Sequence, residues 1–113
     1  LIRLVVSVHS VSHSAMDRRD EDTIRKHLVS LIKDLNPPDV YPDLIQNRII
    51  SFDEKESIQV KSSRKERALE LIEVILRKGP DAFGVFKNAL ERDYPHLHQL
   101  LSEREGIVEG EHF

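Results

Sequence analysis

The sequence contains no cysteine and no tryptophan, and four phenylalanines and two tyrosines are its only aromatic residues. Without cysteine the chain has no disulfide framework, no thiol nucleophile and no cysteine-based zinc site. Because aromatic residues are scarce, its core must be built from Leu, Ile and Val. No apolar run approaches the roughly 20 residues that a membrane-spanning helix needs, and we therefore expect no membrane partner.

Length and composition indicate one globular domain. The 113 residues are 39% hydrophobic and 33% charged, in the usual range for a folded protein of this size. The formal charge of −3 combines 17 basic with 20 acidic residues. A charge that is so small and so mixed in sign does not point to nucleic acid as a partner.

The two ends of the sequence differ from its middle. Residues 1–15 have a mildly apolar start and then a Ser/His-rich stretch, which predicts an N-terminal extension outside the folded domain. A processed signal peptide is the alternative, although the apolar run is short for one. Residues 16–105 should form the domain, and residues 106–113, which lack periodicity, a frayed C-terminal tail.

Helical spacing dominates the first part of the domain. A first helix from near Asp20 is predicted by apolar residues at i, i+4, i+7 and i+11: Ile24, Leu28, Leu31 and Leu35. Pro37 and Pro38 should end it, because proline has no amide donor and restricts the residue before it. A short second helix, capped by Asp39, should follow with Val40, Leu44 and Ile45.

Two capping boxes predict the next helices. Ser51 with Glu54 should open a short third helix through Ile58, and Ser63 with Glu66 a longer fourth helix. The fourth helix has apolar residues at i, i+3, i+4, i+7 and i+8: Ala68, Leu71, Ile72, Ile75 and Leu76. Its end is predicted by Gly79 followed by Pro80.

Two further helices complete the pattern. The fifth, from Asp81, should bury Ala82, Phe83, Phe86, Ala89 and Leu90. Pro95 is suited to the first turn of a sixth, which carries Leu97, Leu100 and Leu101. No stretch has the period-2 alternation of a strand. The predicted fold is therefore all-α, a bundle of six short antiparallel helices.

The sequence lacks the common signatures of catalysis. It contains no phosphate-binding loop, no Gly-x-Ser-x-Gly elbow and no His-Glu-x-x-His motif. His96 and His98 are two residues apart and would point to different sides of a helix. We expect no enzymatic activity, no cofactor and no metal site.

Charge is distributed unevenly over the predicted helices. Cations surround the start of the fourth helix, where the helix dipole makes positive charge unfavourable. An ordinary solvent-exposed surface would not favour positive charge at that position. The cluster of cations therefore favours a role in binding. The basic residues are Arg25, Lys26, Arg64, Lys65 and Arg67, and the acidic residues of the second and third helices are Asp39, Asp43, Asp53, Glu54 and Glu56.

An ordered series of motifs resembles the caspase-recruitment (CARD) branch of the death-fold superfamily. The series begins with the basic-capped helix from Arg64 and continues with the Lys-Gly-Pro-Asp-Ala-Phe turn of residues 78–83. It ends with the Ala-Phe-x-x-Phe-x-x-Ala-Leu pattern of residues 82–90. The turn is most similar to those of initiator-caspase prodomains and RAIDD-type adaptors.

The resemblance implies a six-helix death-fold bundle that acts in the cytoplasm as a non-catalytic module of apoptosis or innate immunity. Its partner would be the CARD of a caspase, an adaptor or an apoptosome-type scaffold, or a second copy of itself. In the caspase–apoptosome pairing of this family, a basic surface on helices one and four meets an acidic surface on helices two and three. The basic and acidic residues named above occupy the matching positions.

Two departures leave the parent protein open. Leu28 stands where an initiator caspase carries a further contacting arginine, and Tyr94-Pro95 is more similar to the coiled-coil CARD scaffolds of immune signalling. A filament-nucleating CARD of an innate-immune scaffold is therefore the alternative to a caspase-recruiting domain. Helical nucleic-acid binding through residues 61–67 is a third hypothesis, disfavoured because Glu66 interrupts the cluster.

Overall fold

A computed structural model describes residues 16–110, and side chains over residues 16–102. Over the described chain all regular structure is helical and no strand occurs, which confirms the predicted all-α fold. The elements are α1 (Arg18–Lys26), α2 (Leu28–Asp34), a 3-10 turn (Pro37–Asp39), α3 (Tyr41–Gln46), α4 (Phe52–Gln59), α5 (Arg64–Leu76), α6 (Asp81–Asp93) and α7 (Pro95–Gly110). None of the described helices is both long and apolar enough to span a membrane.

The predicted first helix is divided in two, so that residues 16–110 form seven α-helices where six were expected. The division is at His27, whose φ of −107° and ψ of 20° depart from helical values. The first segment starts slightly earlier than predicted, because the carboxylate of Asp17 accepts a 2.8 Å hydrogen bond from the amide of Arg19. The apolar face continues across the break, since Ile24 and Leu31 are both fully buried.

The start of α3 differs from the prediction. Asp39 does not cap this helix, which follows Val40 without any side-chain cap. The 3-10 turn leads directly into Val40, whose amide bonds the carbonyl of Pro37 at 3.0 Å. The carboxylate of Asp39 accepts a hydrogen bond from the Tyr94 hydroxyl instead, at 2.5 Å.

Both predicted capping boxes are present. The Ser51 hydroxyl accepts from the amide of Glu54 at 3.0 Å, and the Glu54 carboxylate accepts from the amide of Ser51 at 2.9 Å. Ser63 and Glu66 make the same reciprocal pair, with both distances 3.1 Å. Each box satisfies two backbone donors at the start of its helix, α4 or α5.

Two helices do not end where the sequence pattern predicts. Helix α5 ends at Leu76 with Arg77 as its cap, and Gly79 beyond it does not have the positive φ of a glycine cap. Helix α7 begins at Pro95 as predicted but continues to Gly110, past the predicted start of the tail at residue 106. No proline or capping motif interrupts residues 105–110, so helical hydrogen bonding propagates through them.

A single apolar core lies around α5 and α6. Helix α5 packs against α2, α4 and α6, while α6 also packs against α3 and α7. Leu71 and Phe83, both predicted as core residues, are buried. The large side chains that are completely or almost completely buried are Phe86, Ile24, Leu31, Leu35, Leu44, Ile58, Leu71, Ile72, Ile75, Leu90, Leu97 and Leu101.

Candidate interaction surfaces

Arg64, predicted to contact a partner, is bound to the end of a neighbouring helix. Its guanidinium donates to the backbone carbonyls of Ile32, Lys33 and Leu35, at 3.1, 2.8 and 2.8 Å. These carbonyls close the C-terminus of α2, where the helix dipole favours a cation. These hydrogen bonds within the domain stabilise a cation at the start of α5, and they position α2 against α5.

The other predicted basic residues divide into bound and exposed ones. Arg25 pairs with Glu21 one turn earlier, at 2.9 Å. Half-buried Arg67 donates to the carbonyl of Lys61, at 2.9 Å. Lys26 and Lys65 are exposed, and among residues 16–102 neither has an ion pair or side-chain hydrogen bond. They are the two cations of the predicted face that are open to a partner.

These basic residues lie near opposite ends of α2. Lys26 is the last residue of α1, two positions before that helix, whereas Arg64 and its neighbour Lys65 lie at its C-terminus. Seven helical residues span about 10 Å. The outer side of α2 between the two groups carries exposed Val29 and exposed Lys33, neither of which is among the predicted site residues. We call Lys26, Val29, Lys33 and Lys65 the basic surface.

The predicted acidic residues also form two groups, and the first faces α6 and α7. Asp43 lies 3.9 Å from the guanidinium of Arg92 at the end of α6. Asp39 accepts from the Tyr94 hydroxyl, which itself accepts from the amide of Asn36 at 3.0 Å. Burial and the hydrogen bond to Asp39 raise the pKa of Tyr94 above its ordinary value. These two carboxylates therefore contribute to packing within the domain.

The second group lies on α4, and one of its members is also engaged. The Glu54 carboxylate caps the helix and pairs with the ammonium of Lys78 at 2.6 Å. Partial burial acts to raise the pKa of Glu54, but the hydrogen bonds from Lys78 and from the amide of Ser51 outweigh it, so the net pKa lies below its usual value. Asp53 and Glu56 are exposed, and Glu56 makes only a 3.9 Å contact with Lys55.

Helix α4 exposes apolar side chains on its outer side. Phe52 is 68% exposed and Val60, its cap residue, is 77% exposed, with Glu56 midway between them. Positions four apart share one side of a helix, so the three residues form a stripe, which we call the α4 stripe. Ile58 is the only buried residue of α4. The signal was present in the sequence, since Phe52 and Val60 cannot share the side of Ile58.

The turn before α4 forms a groove beside Phe52. Its volume is about 350 Å³, and its apolar lining includes Ile45, Ile49 and Ile50. Arg48 at its edge has a φ of 63°, in the left-handed region that favours glycine. The amides of Arg48 and Ile49 bond the carbonyls of Ile45 and Leu44, at 3.0 and 2.8 Å, in the pattern of a Schellman cap. This cap ends α3 and leads the chain into the turn before Phe52.

The two histidines near the start of α7 contact separate elements. The imidazole of His96 lies 2.8 Å from the carboxylate of Asp34, and that of His98 lies 2.9 Å from the carbonyl of Lys87. The described residues contain no group of three His, Cys, Asp or Glu side chains that could hold a metal ion.

Comparison with known proteins identifies the family. The model of the family described as "Caspase recruitment domain" matches residues 21–104. Caspase-2 of Gallus gallus is 29% identical over 82% of the chain, and apoptotic protease-activating factor 1 of Homo sapiens is 28% identical over 82%. A putative inhibitor of apoptosis of Sus scrofa is 31% identical over 92%.

The chain corresponds to a small part of each relative, namely 22% of the caspase, 8% of the activating factor and 29% of the putative inhibitor. The matched region contains all the described helices except the start of α1 and the end of α7. The all-helical bundle, the family match and these relatives agree: the chain belongs to the caspase-recruitment domain family, whose members are non-catalytic modules of homotypic CARD–CARD interaction in apoptotic signalling.

Proposed function

We propose that this domain recruits an initiator caspase, or belongs to one, by docking its basic surface onto the α4 side of another CARD. The observation that carries the proposal is the separation of exposed Lys26 and Lys65, which have no ion pair among residues 16–102, from exposed Asp53 and Glu56 on a different helix. Opposite charges on two surfaces of one molecule suit a heterologous contact. The cytoplasmic setting implied by the resemblance is part of this proposal.

The proposed contact needs several pairs to act together. Exposed ion pairs contribute about 0.2–1 kcal/mol each and mainly set specificity and the rate of encounter. Of the predicted basic face, Arg25, Arg64 and Arg67 already have internal partners, as do Asp39, Asp43 and Glu54 of the acidic face. We therefore assign the intermolecular contacts chiefly to Lys26, Lys65, Asp53 and Glu56.

The filament-nucleating CARD of an innate-immune scaffold is the second candidate, and the same asymmetry supports it. A heterologous contact does not close on itself, so repeated docking builds open helical oligomers. Assemblies that lengthen with concentration would favour this candidate. A one-to-one complex with a caspase CARD would favour recruitment.

The proposal is tested by reversing the charges that have no internal partner. Lys26→Glu combined with Lys65→Glu should abolish binding to a purified caspase-2 CARD and to a second copy of the chain, and leave the helical circular dichroism spectrum intact. A copy carrying Asp53→Lys and Glu56→Lys should restore part of the self-association. Binding of the parent chain should weaken as added salt shortens the Debye length from about 10 Å to about 3 Å.

Arg18→Glu with Arg19→Glu is the matched control, because it makes the same change in net charge at the far end of α1. Unchanged binding by the Lys26/Lys65 variant would show that the charged surfaces do not recruit the partner. Tight, salt-sensitive binding of duplex DNA, lost in that variant, would instead support a nucleic-acid-binding function.

A further inference from the structure

Each proposed docking surface carries exposed apolar side chains that the fold does not explain. Val29 on the basic surface is 80% exposed, and Phe52 and Val60 on the α4 stripe are 68% and 77% exposed. The other large apolar residue exposed in the described chain, Leu69, is 38% exposed. Hydrophobic side chains at the centre of a charged surface are typical of protein-binding sites.

We infer that Val29 of one copy of this chain packs against Phe52 of a second copy, and that this contact is the apolar centre of the docking proposed above. The inference rests on the proposed function, because it places the two charged surfaces against each other. It adds the residues that supply hydrophobic contact, because the charged pairs alone do not supply it.

The spacing of the residues supports this arrangement. Val29 and Lys33 are one helical turn apart on α2, and Phe52 and Glu56 are one turn apart on α4. Four helical residues span about 6 Å in both cases. When Val29 lies on Phe52 and the two helices run in the same direction, the ammonium of Lys33 is brought level with the carboxylate of Glu56. Val60 continues the stripe on the far side of Glu56.

The charges favour a second copy bound in this heterologous manner. Val29 lies between Lys26 and Lys33, whereas the α4 stripe has Glu56 at its middle and Asp53 beside it. Lys78 near the stripe is already neutralised by Glu54, at 2.6 Å. A symmetric contact of α4 with α4, or of α2 with α2, would place like charges opposite each other.

The experiment uses Val29→Asp and Phe52→Asp in the full chain, with self-association followed by sedimentation equilibrium. Each variant should associate at least about tenfold more weakly than the parent, since each buries a charge in the apolar centre. An equimolar mixture should recover association, because the intact basic surface of the Phe52 variant can bind the intact α4 stripe of the Val29 variant. The recovered species should stop at a dimer, since each partner then lacks its other surface.

Ser57→Asp is the matched control, because it adds the same carboxylate to an exposed position of α4 away from the stripe. It should change the association by less than about twofold, which is small beside a tenfold effect. Phe52→Leu should keep most of the binding, and circular dichroism should show the parent helix content in every variant.

The outcomes separate this inference from the proposed function. If reversal of Lys26 and Lys65 abolishes self-association but Val29→Asp and Phe52→Asp do not change it, the charged docking stands and the apolar contact is wrong. If a mixture of the two Asp variants fails to recover association, the heterologous pairing is wrong. A parent chain that binds the caspase-2 CARD but stays monomeric at the highest attainable concentration would overturn the second copy as the occupant.

Discussion

Helices α4 and α5 follow each other in the chain and begin with the same capping box, yet they use their side chains in opposite ways. Helix α5 buries five residues, whereas α4 buries Ile58 alone and exposes Phe52 and the adjoining Val60. Burial of apolar surface is the main stabilising contribution to a fold. Helix α5 therefore stabilises the domain, whereas the outer side of α4 is available for binding.

Truncation of one large apolar residue on each helix should show the greatest difference. Leu71→Ala on α5 should lower the free energy of unfolding by about 2–5 kcal/mol, because it leaves a cavity in the core. Phe52→Ala on α4 should change it by less than about 0.5 kcal/mol, because that ring is already exposed to water. Urea denaturation followed by circular dichroism measures both. Equal losses would contradict the division between the helices.

The two cations at the start of α5 also differ, because Arg64 is hydrogen-bonded within the domain and Lys65 is exposed. Arg64→Ala should lower the free energy of unfolding by about 1.5–3 kcal/mol, because three carbonyls at the end of α2 lose a charged donor. Lys65→Ala should have an effect within about 0.5 kcal/mol on stability. Thermal denaturation of both variants provides the measurement. A stability loss at Lys65 as large as that at Arg64 would show that the internal capping is not what distinguishes them.

The smallest expected difference in stability between α4 and α5 is at their capping serines. Ser51→Ala and Ser63→Ala should each lower stability by about 0.5–2 kcal/mol, since each removes the acceptor of one orphan amide. Loss of Ser51 should also speed amide hydrogen exchange throughout α4, which has one core anchor, whereas loss of Ser63 should affect only the first turn of α5. Exchange monitored residue by residue by NMR distinguishes these results. Uniform exchange across both helices in both variants would contradict the weak anchoring of α4.

The features that could be predicted from the sequence are those whose causes are local. The boxes at Ser51 and Ser63 and the apolar periodicity of α5 involve residues within a few positions of each other, and the structure contains all of them. The break at His27 was missed because the apolar spacing continues through it and no proline or glycine marks it.

The roles of the charged residues could not be predicted in the same way. Arg64 contacts carbonyls 29 to 32 residues away, and the Glu54 carboxylate contacts Lys78 at a separation of 24. Such pairs depend on which helices pack together. The charged residues are visible in the sequence, but only the packing shows that Arg64 has internal hydrogen bonds, whereas Lys26 and Lys65 have no ion pair or side-chain hydrogen bond among residues 16–102. The assignment of the contact residues remains a prediction.

The hydroxyl of Tyr94 joins parts of the chain that are far apart in sequence. It bonds the amide of Asn36 and the carboxylate of Asp39, at separations of 58 and 55 residues, from the junction between α6 and α7. Local opening of a protein occurs in cooperative units defined by such contacts. Opening of either the base of α7 or the proline turn after α2 would therefore break these two hydrogen bonds. Loss of this hydroxyl in Tyr94→Phe should therefore speed amide exchange at both the start of α7 and the turn after α2.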